Sequence, residues 1–187
     1  MAISDKELSL IENEIAKKYG LEILALNSLD QLSVYNYGYV TGSDALNTDV
    51  WTQYRTDNDI AADNCILFMW ITFPKLLIGL EAMESWGFKY RSAAFTWVKR
   101  NKVADSWFWG MGHWIRANAE VCFLGVKGKP QRESAAVHSV VDERIMQHSK
   151  KPDVVKDRIV ELCGDLPRIE LFARETAPGW DSWGNEV

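Results

Sequence analysis

Two groups of side chains in this sequence have the types and spacing that chemistry needs. The first interleaves Lys99, Arg100, Asn101, Lys102 and Arg116 with Trp107, Trp109 and Trp114. Cations set beside flat rings suit an unstacked base and its phosphates. The same rings equally suit a hydrophobic seam at a partner surface, and the sequence leaves both readings open. His113, in the same stretch, reads as a structural hydrogen-bonding residue rather than a general base. The second group lies in the last quarter of the chain: Lys151, Arg174, Asn185 and Glu186. Sheets built from βα units bind ligands outside the carboxyl ends of their strands. Arg174 follows the strand expected at 169–172, which fits either a surface ion pair or a site. Lys151 precedes Pro152 at the start of a helical pattern, where the helix dipole disfavours a cation, and this points to function. Asn185 and Glu186, read alone, are tail residues.

These residues need elements to position them. Ser4, Asp5, Lys6 and Glu7 form a capping box, and Leu8, Ile11 and Ile15 continue it at helical spacing to Gly20, so 1–20 is expected to be a helix. The short apolar run 21–26 predicts a strand. From 27 to 63 the chain is polar and irregular, and a loop of that length is expected to be functional. The continuous apolar run 65–71 predicts a strand covered on both faces. Pro74 then opens a helix with Leu76, Leu77, Leu80 and Met83 on one face. Further strands are expected at 88–98, 121–126 and 169–172, with a second long loop at 99–118. A helix over 152–163 should end at Gly164. Strands alternating with helices predict an α/β sandwich around a mostly parallel sheet.

Composition bounds what such a molecule can be. A chain of 187 residues is expected to form one domain, 1–187, with a substantial core. Hydrophobic content of 47% and charged content of 25% are globular values. No apolar run reaches the roughly 18 residues that cross a bilayer, and no signal-peptide pattern is evident. Cys65, Cys122 and Cys163 read as buried thiols in a reducing compartment, so a cytoplasmic location is expected. No Cys or His spacing suggests a metal site. The net charge of −5 argues against a generally basic nucleic-acid binder but leaves room for a local patch. Of the nine tryptophans, Trp70, Trp86 and Trp97 fall in patterned elements and are expected in the core. Trp107, Trp109, Trp114, Trp180 and Trp183 lie among Gly, Pro and polar residues, where partial exposure is expected.

Several blocks occur together in one order: 62–70, 86–90, 97–101, 112–114, 118–125, Lys127-Gly128-Lys129-Pro130, His148-Ser149-Lys150-Lys151-Pro152, Glu170-Leu171-Phe172-Ala173-Arg174, and Pro178-Gly179-Trp180 leading to Gly184-Asn185-Glu186. This set resembles the adenine N6-methyltransferase family named after the seventy-kilodalton subunit of mRNA adenosine methyltransferase. The resemblance covers roughly 60–187. It implies a Rossmann-like S-adenosylmethionine-dependent methyltransferase fold, with helices on both faces of the sheet. It also implies that Lys151 meets the methionine carboxylate of the cofactor, and that Arg174, Asn185 and Glu186 line the ribose pocket. Lysine is a compact cation for a carboxylate, and an amide with a carboxylate can hold two ribose hydroxyls. Tyr54 resembles the tyrosine of a family segment near the substrate. The 99–118 loop falls where the family meets substrate and partner, so DNA or RNA, or a second subunit in a homo- or hetero-oligomer, is expected there. The short chain without appended domains resembles bacterial or phage members.

One departure stands out. The family's Asp-Pro-Pro-Trp tetrad appears nowhere in the sequence. Leu26, Asn27, Ser28 and Leu29 stand where it is expected, and Asp30 recovers only the aspartate in a second register. In the family the aspartate accepts hydrogen bonds from the target amine, the prolines stiffen the turn, and the aromatic ring packs on the base. Loss of those contacts costs on the order of a thousandfold in rate. The resemblance therefore implies a degenerate member that keeps its cofactor cleft, binds S-adenosylmethionine weakly, and acts by binding nucleic acid, a partner or the cofactor. The alternatives are an active adenine methyltransferase using Asp30 or a polar loop residue, and a different reaction on the same cofactor.

Overall fold

The computed structural model describes residues 35–40, the backbone alone there, together with 61–147, 150–183 and 187. The expected helix at 1–20 and strand at 21–26 lie outside the described residues. So do Leu26, Asn27, Ser28, Leu29, Asp30, Tyr54, His148, Ser149, Asn185 and Glu186.

Seven strands form one sheet in the order β5-β3-β4-β2-β1-β6-β7. They are β1 (Tyr35–Val40), β2 (Ala61–Ile71), β3 (Lys89–Arg100), β4 (Ala119–Lys127), β5 (Val140–Arg144), β6 (Arg168–Leu171) and β7 (Asp181–Trp183). The sheet is mixed. β1 is parallel to β2 and β6, β3 to β5, and β6 to β7, while β4 runs antiparallel to both β2 and β3. The carboxyl ends of six strands thus share one rim with the amino end of β4.

β2 is central because it is apolar on both faces. Cys65, Leu67, Met69 and Ile71 pack on one side with Met83, Phe88, Val121 and Phe123. Ile66, Phe68 and Trp70 pack on the other with Phe95, Trp97, Cys122 and Val141. The first face is covered by α1 (Leu76–Ser85), entered through a 3-10 turn carrying Pro74. The second is covered by α2 (Val154–Cys163), through Val155, Ile159 and Cys163. Gly164 ends α2 at φ 83°, as its sequence position foretells. An ion pair of 2.6 Å from Lys156 to the buried Glu170 ties α2 to β6. All three cysteines are free and buried.

The structure corrects several expectations. The stretch 27–63 is not one loop, since it contains β1 and the start of β2. Lys99 and Arg100 belong to β3 rather than to the loop that follows. α1 buries Gly79, Ala82 and Met83, and Leu77 points outward at 78% exposure, because the apolar residues of this helix exceed one face. Trp180 is buried, with the Arg168 guanidinium 5.6 Å from its ring. Phe172 does not extend β6 but turns out of it at φ 60°. At the β5 rim of the sheet, Arg158 of α2 donates from Nη1 to the carbonyls of His138 and Val140 at 2.9 and 2.7 Å. Among the described residues no helix is long and apolar enough to cross a membrane.

Candidate functional site

Strand alternation puts Trp97 and Lys99 on one face of β3, and Glu120 and Cys122 on the same face of β4. Trp70 of β2 shares that face. Lys151 reaches it from the segment before α2. The groups converge where β3 ends and β4 begins. Glu120 accepts a hydrogen bond from Lys99 Nζ at 2.6 Å on Oε1, and one from Lys151 Nζ at 2.7 Å on Oε2. The Lys99 and Lys151 ammonium groups lie 4.9 Å from the Trp97 ring and 5.7 Å from the Trp70 ring. Trp70 and Trp97 meet edge to face at 6.3 Å, and Trp97 donates its indole N–H to the Glu143 carbonyl.

The electrostatics are unbalanced. Side-chain exposure is 17% for Lys99, 14% for Glu120 and 11% for Lys151. Among the described residues two lysines share one carboxylate, so this cluster holds one net positive charge largely out of water. Burial pushes the Glu120 carboxyl up, but Lys151 and Lys99 outweigh it and hold the group below its ordinary value. Burial pushes the neighbouring Cys122 thiol well up, which makes it inert rather than nucleophilic. An uncompensated cation in this setting fits an anionic group, and a carboxylate suits two ammonium heads flanked by ring faces.

Arg174 is exposed three residues beyond β6. Its chain neighbour Glu175 pairs with Lys150 Nζ at 2.5 Å, and Lys150 also meets Asp153 at 3.3 Å. Phe172, in the left-handed region that side chains rarely adopt, sets its ring on Trp183 at 5.3 Å, and the Ala173 N–H donates to the Trp183 carbonyl at 2.9 Å.

The aromatic-basic loop starts from a built base. Arg100 grips Asp142 with two bonds of 2.6 and 2.7 Å, meets Asp105 at 3.1 Å, and lies 4.5 Å from the Trp107 ring. This hydrogen bonding holds the Asp142 carboxyl below its usual range. Arg144 donates to the carbonyls of Asn101, Val103 and Ala104. The Asn101 side chain donates to Ser106 and to the Trp107 carbonyl. Arg100 and Asn101, expected to face a ligand, therefore hold the loop together. Lys102 and Arg116 are exposed. Trp109, Met111, Trp114 and Ile115 stand out at 72%, 98%, 92% and 76% exposure. A Cβ on Gly110 would collide with the Ala117 carbonyl, and one on Gly112 with that of Ile115, so the tip is too tight for side chains there. His113 is exposed, its ring edge-on to Trp114 at 5.5 Å, and it makes no hydrogen bond among the described residues.

Sequence reasoning missed Glu120 as a functional residue. Its signal was available: a lone acid at the head of a strand whose next six residues are apolar or glycine.

The MT-A70 family profile matches residues 46–186. The type II methyltransferase M.MunI of Mycoplasma sp is 38% identical over 130 residues, which are 68% of this chain and 53% of that protein. The human N(6)-adenosine-methyltransferase catalytic subunit METTL3 is 31% identical over 137 residues, 71% of this chain and 23% of that protein. An N(6)-adenosine-methyltransferase MT-A70-like protein of Arabidopsis thaliana is 31% identical over 125 residues, 65% of this chain and 18% of that protein. The chain thus spans about half the length of the first and a quarter or less of the others. The profile match begins beyond residues 26–30, where the tetrad was sought. Methyltransferases of this family use S-adenosylmethionine. Residue order, mixed α/β sheet and profile agree, and the chain belongs to the MT-A70 family.

Proposed function

We propose that this chain holds S-adenosylmethionine at the shared rim of the sheet, that it is catalytically degenerate, and that it acts by binding the cofactor, nucleic acid or a partner subunit. The observation that carries the reading is the buried cluster of Lys99, Glu120 and Lys151. Among the described residues it carries one positive charge in excess, and the carboxylate of the cofactor would balance it, with Lys151 as the direct contact. Arg174, Asn185 and Glu186 would take the ribose. The cofactor would supply an electrophilic methyl group; the chain's own share is to bind and orient. The absent Asp-Pro-Pro-Trp removes the groups that would position a target amine.

The loop beyond β3 favours a protein partner over nucleic acid. Its Arg100 and Asn101 are spent on internal bonds, and what it presents outward is mainly apolar.

Calorimetry with S-adenosylmethionine and S-adenosylhomocysteine tests the first part. Binding at micromolar or poorer affinity is expected, weakened at least tenfold by Lys151→Ala. No heat and no thermal shift at millimolar cofactor would sink it. A radiolabelled-methyl assay on mixed DNA and RNA oligonucleotides tests the second part, with negligible transfer expected. Robust turnover abolished by Asp30→Ala would install an active adenine methyltransferase instead.

A further inference from the structure

The two ends of the proposed cofactor cleft come from separate parts of the chain. Lys151 stands before α2, and Arg174 stands after β6. Backbone pairing does not join these two segments directly, since β6 pairs with β1 and β7. Their immediate chain neighbours, however, are joined. Lys150 Nζ lies 2.5 Å from Glu175 Oε1, and Lys150 is held on its own side by Asp153 at 3.3 Å. Lys150 is the residue before Lys151, and Glu175 is the residue after Arg174.

The segment from Phe172 to Glu175 is held near both of its ends. Phe172 has left β6 in a left-handed conformation, and Ala173 is fastened to the Trp183 carbonyl. Trp183 therefore fixes the near end of the segment and Lys150 the far end. The ion pair thereby ties the chain beside Arg174 to the chain beside Lys151.

We infer that the Lys150–Glu175 pair is a brace that sets the span between the carboxylate end and the ribose end of the cleft. The inference rests on the cofactor reading above and deepens it. Lys150 and Glu175 are positioning residues and touch no ligand themselves. Lys150 is mostly covered and Glu175 is half-exposed, with side-chain exposures of 22% and 52%. Such a pair adds little to global stability, and its hold weakens as salt rises. A ligand that must reach both ends feels the brace in full, whereas a ligand that reaches one end does not.

The test measures S-adenosylhomocysteine, methionine and adenosine against the full chain by calorimetry, in Lys150→Gln, Glu175→Gln and the swapped double variant Lys150→Glu/Glu175→Lys. Each single variant should bind S-adenosylhomocysteine about three- to tenfold more weakly, with methionine and adenosine affinities within twofold of the parent and the midpoint of thermal unfolding unchanged. The swapped double variant should recover most of the loss, and the advantage of the parent should shrink at high salt. If the parent binds S-adenosylhomocysteine and the single variants bind it equally well, or if the swap recovers nothing, the brace is overturned while the cofactor reading stands. Equal weakening of all three ligands also overturns it. If the parent binds none of the three, both fall together.

Discussion

Glu120 is the residue on which the site turns. Removing its charge leaves Lys99 and Lys151 as two like charges close together and mostly out of water. Glu120→Gln should therefore destabilise the protein by about 2 kcal/mol, below the range for a fully buried pair because water still reaches the cluster. For a chain of this size that is roughly 4–8 °C in the midpoint of thermal unfolding. The acid branch of the stability curve gives a second reading. The folded-state carboxyl sits below its ordinary value, so its contribution is complete above about pH 4.3 and is lost as pH falls through the folded-state value. The variant should show a shallower decline over that window, measured by chemical denaturation at stepped pH. An identical acid branch in parent and variant would refute the shared-carboxylate account.

At the scale of elements, the loop after β3 behaves as a piece held by its base. Arg100 is the centre of that base through Asp142, Asp105 and Trp107. Arg100→Ala should raise limited proteolysis within 101–117 severalfold while β3 and β4 stay resistant. Unchanged cleavage would mean that the Arg144 contacts alone suffice.

The elements also show what a sequence can reveal and what it hides. β2 was readable because Cys65 to Ile71 is apolar at every position, which only a strand buried on both faces needs. α2 was readable from its apolar spacing and terminal glycine. β5 was not, because it buries Val141 alone and exposes Val140, Asp142, Glu143 and Arg144. β1 and β7 were hidden by polar residues and brevity. Of the proposed site residues, Lys151 drew notice by its place before Pro152 at a helix start, whereas Arg174 alone reads equally as a surface ion pair and was singled out by the family resemblance. Glu120 escaped because ligand groups were sought past strand ends. β4 runs backwards relative to its neighbours, so its beginning lies where their ends are. Trp180 escaped because Pro178 and Gly179 suggest a turn, and nothing local announces that Arg168 covers the ring.

For the molecule as a whole, the exposed loop tip matters most. Trp109, Met111, Trp114 and Ile115 form an apolar face on a turn whose glycines leave it little room to rearrange. A pre-shaped apolar face suits association with a partner subunit, including a second copy of this chain. Trp109→Ala and Trp114→Ala should each lower the mass seen by light scattering in the assembled protein, with little dependence on salt. Trp107→Ala should act differently, since that ring serves the loop base. Equal mass in parent, Trp109→Ala and Trp114→Ala, with and without a candidate partner, would remove the tip as an interface.

The contact of Arg158 with the outer strand carries a consequence of another kind. Ser139 turns its carbonyl inward to the Thr96 N–H, so the carbonyls of His138 and Val140 face away from the sheet. An unfilled row of this sort is a template on which a foreign chain can lay down one more strand, the first event of aggregation. A single guanidinium on α2 already occupies both acceptors. The helix that builds one core of the domain thereby also caps the start of the β5 edge, and any chemistry at the far rim proceeds in a molecule whose own backbone offers less there for stray polypeptide to grow upon.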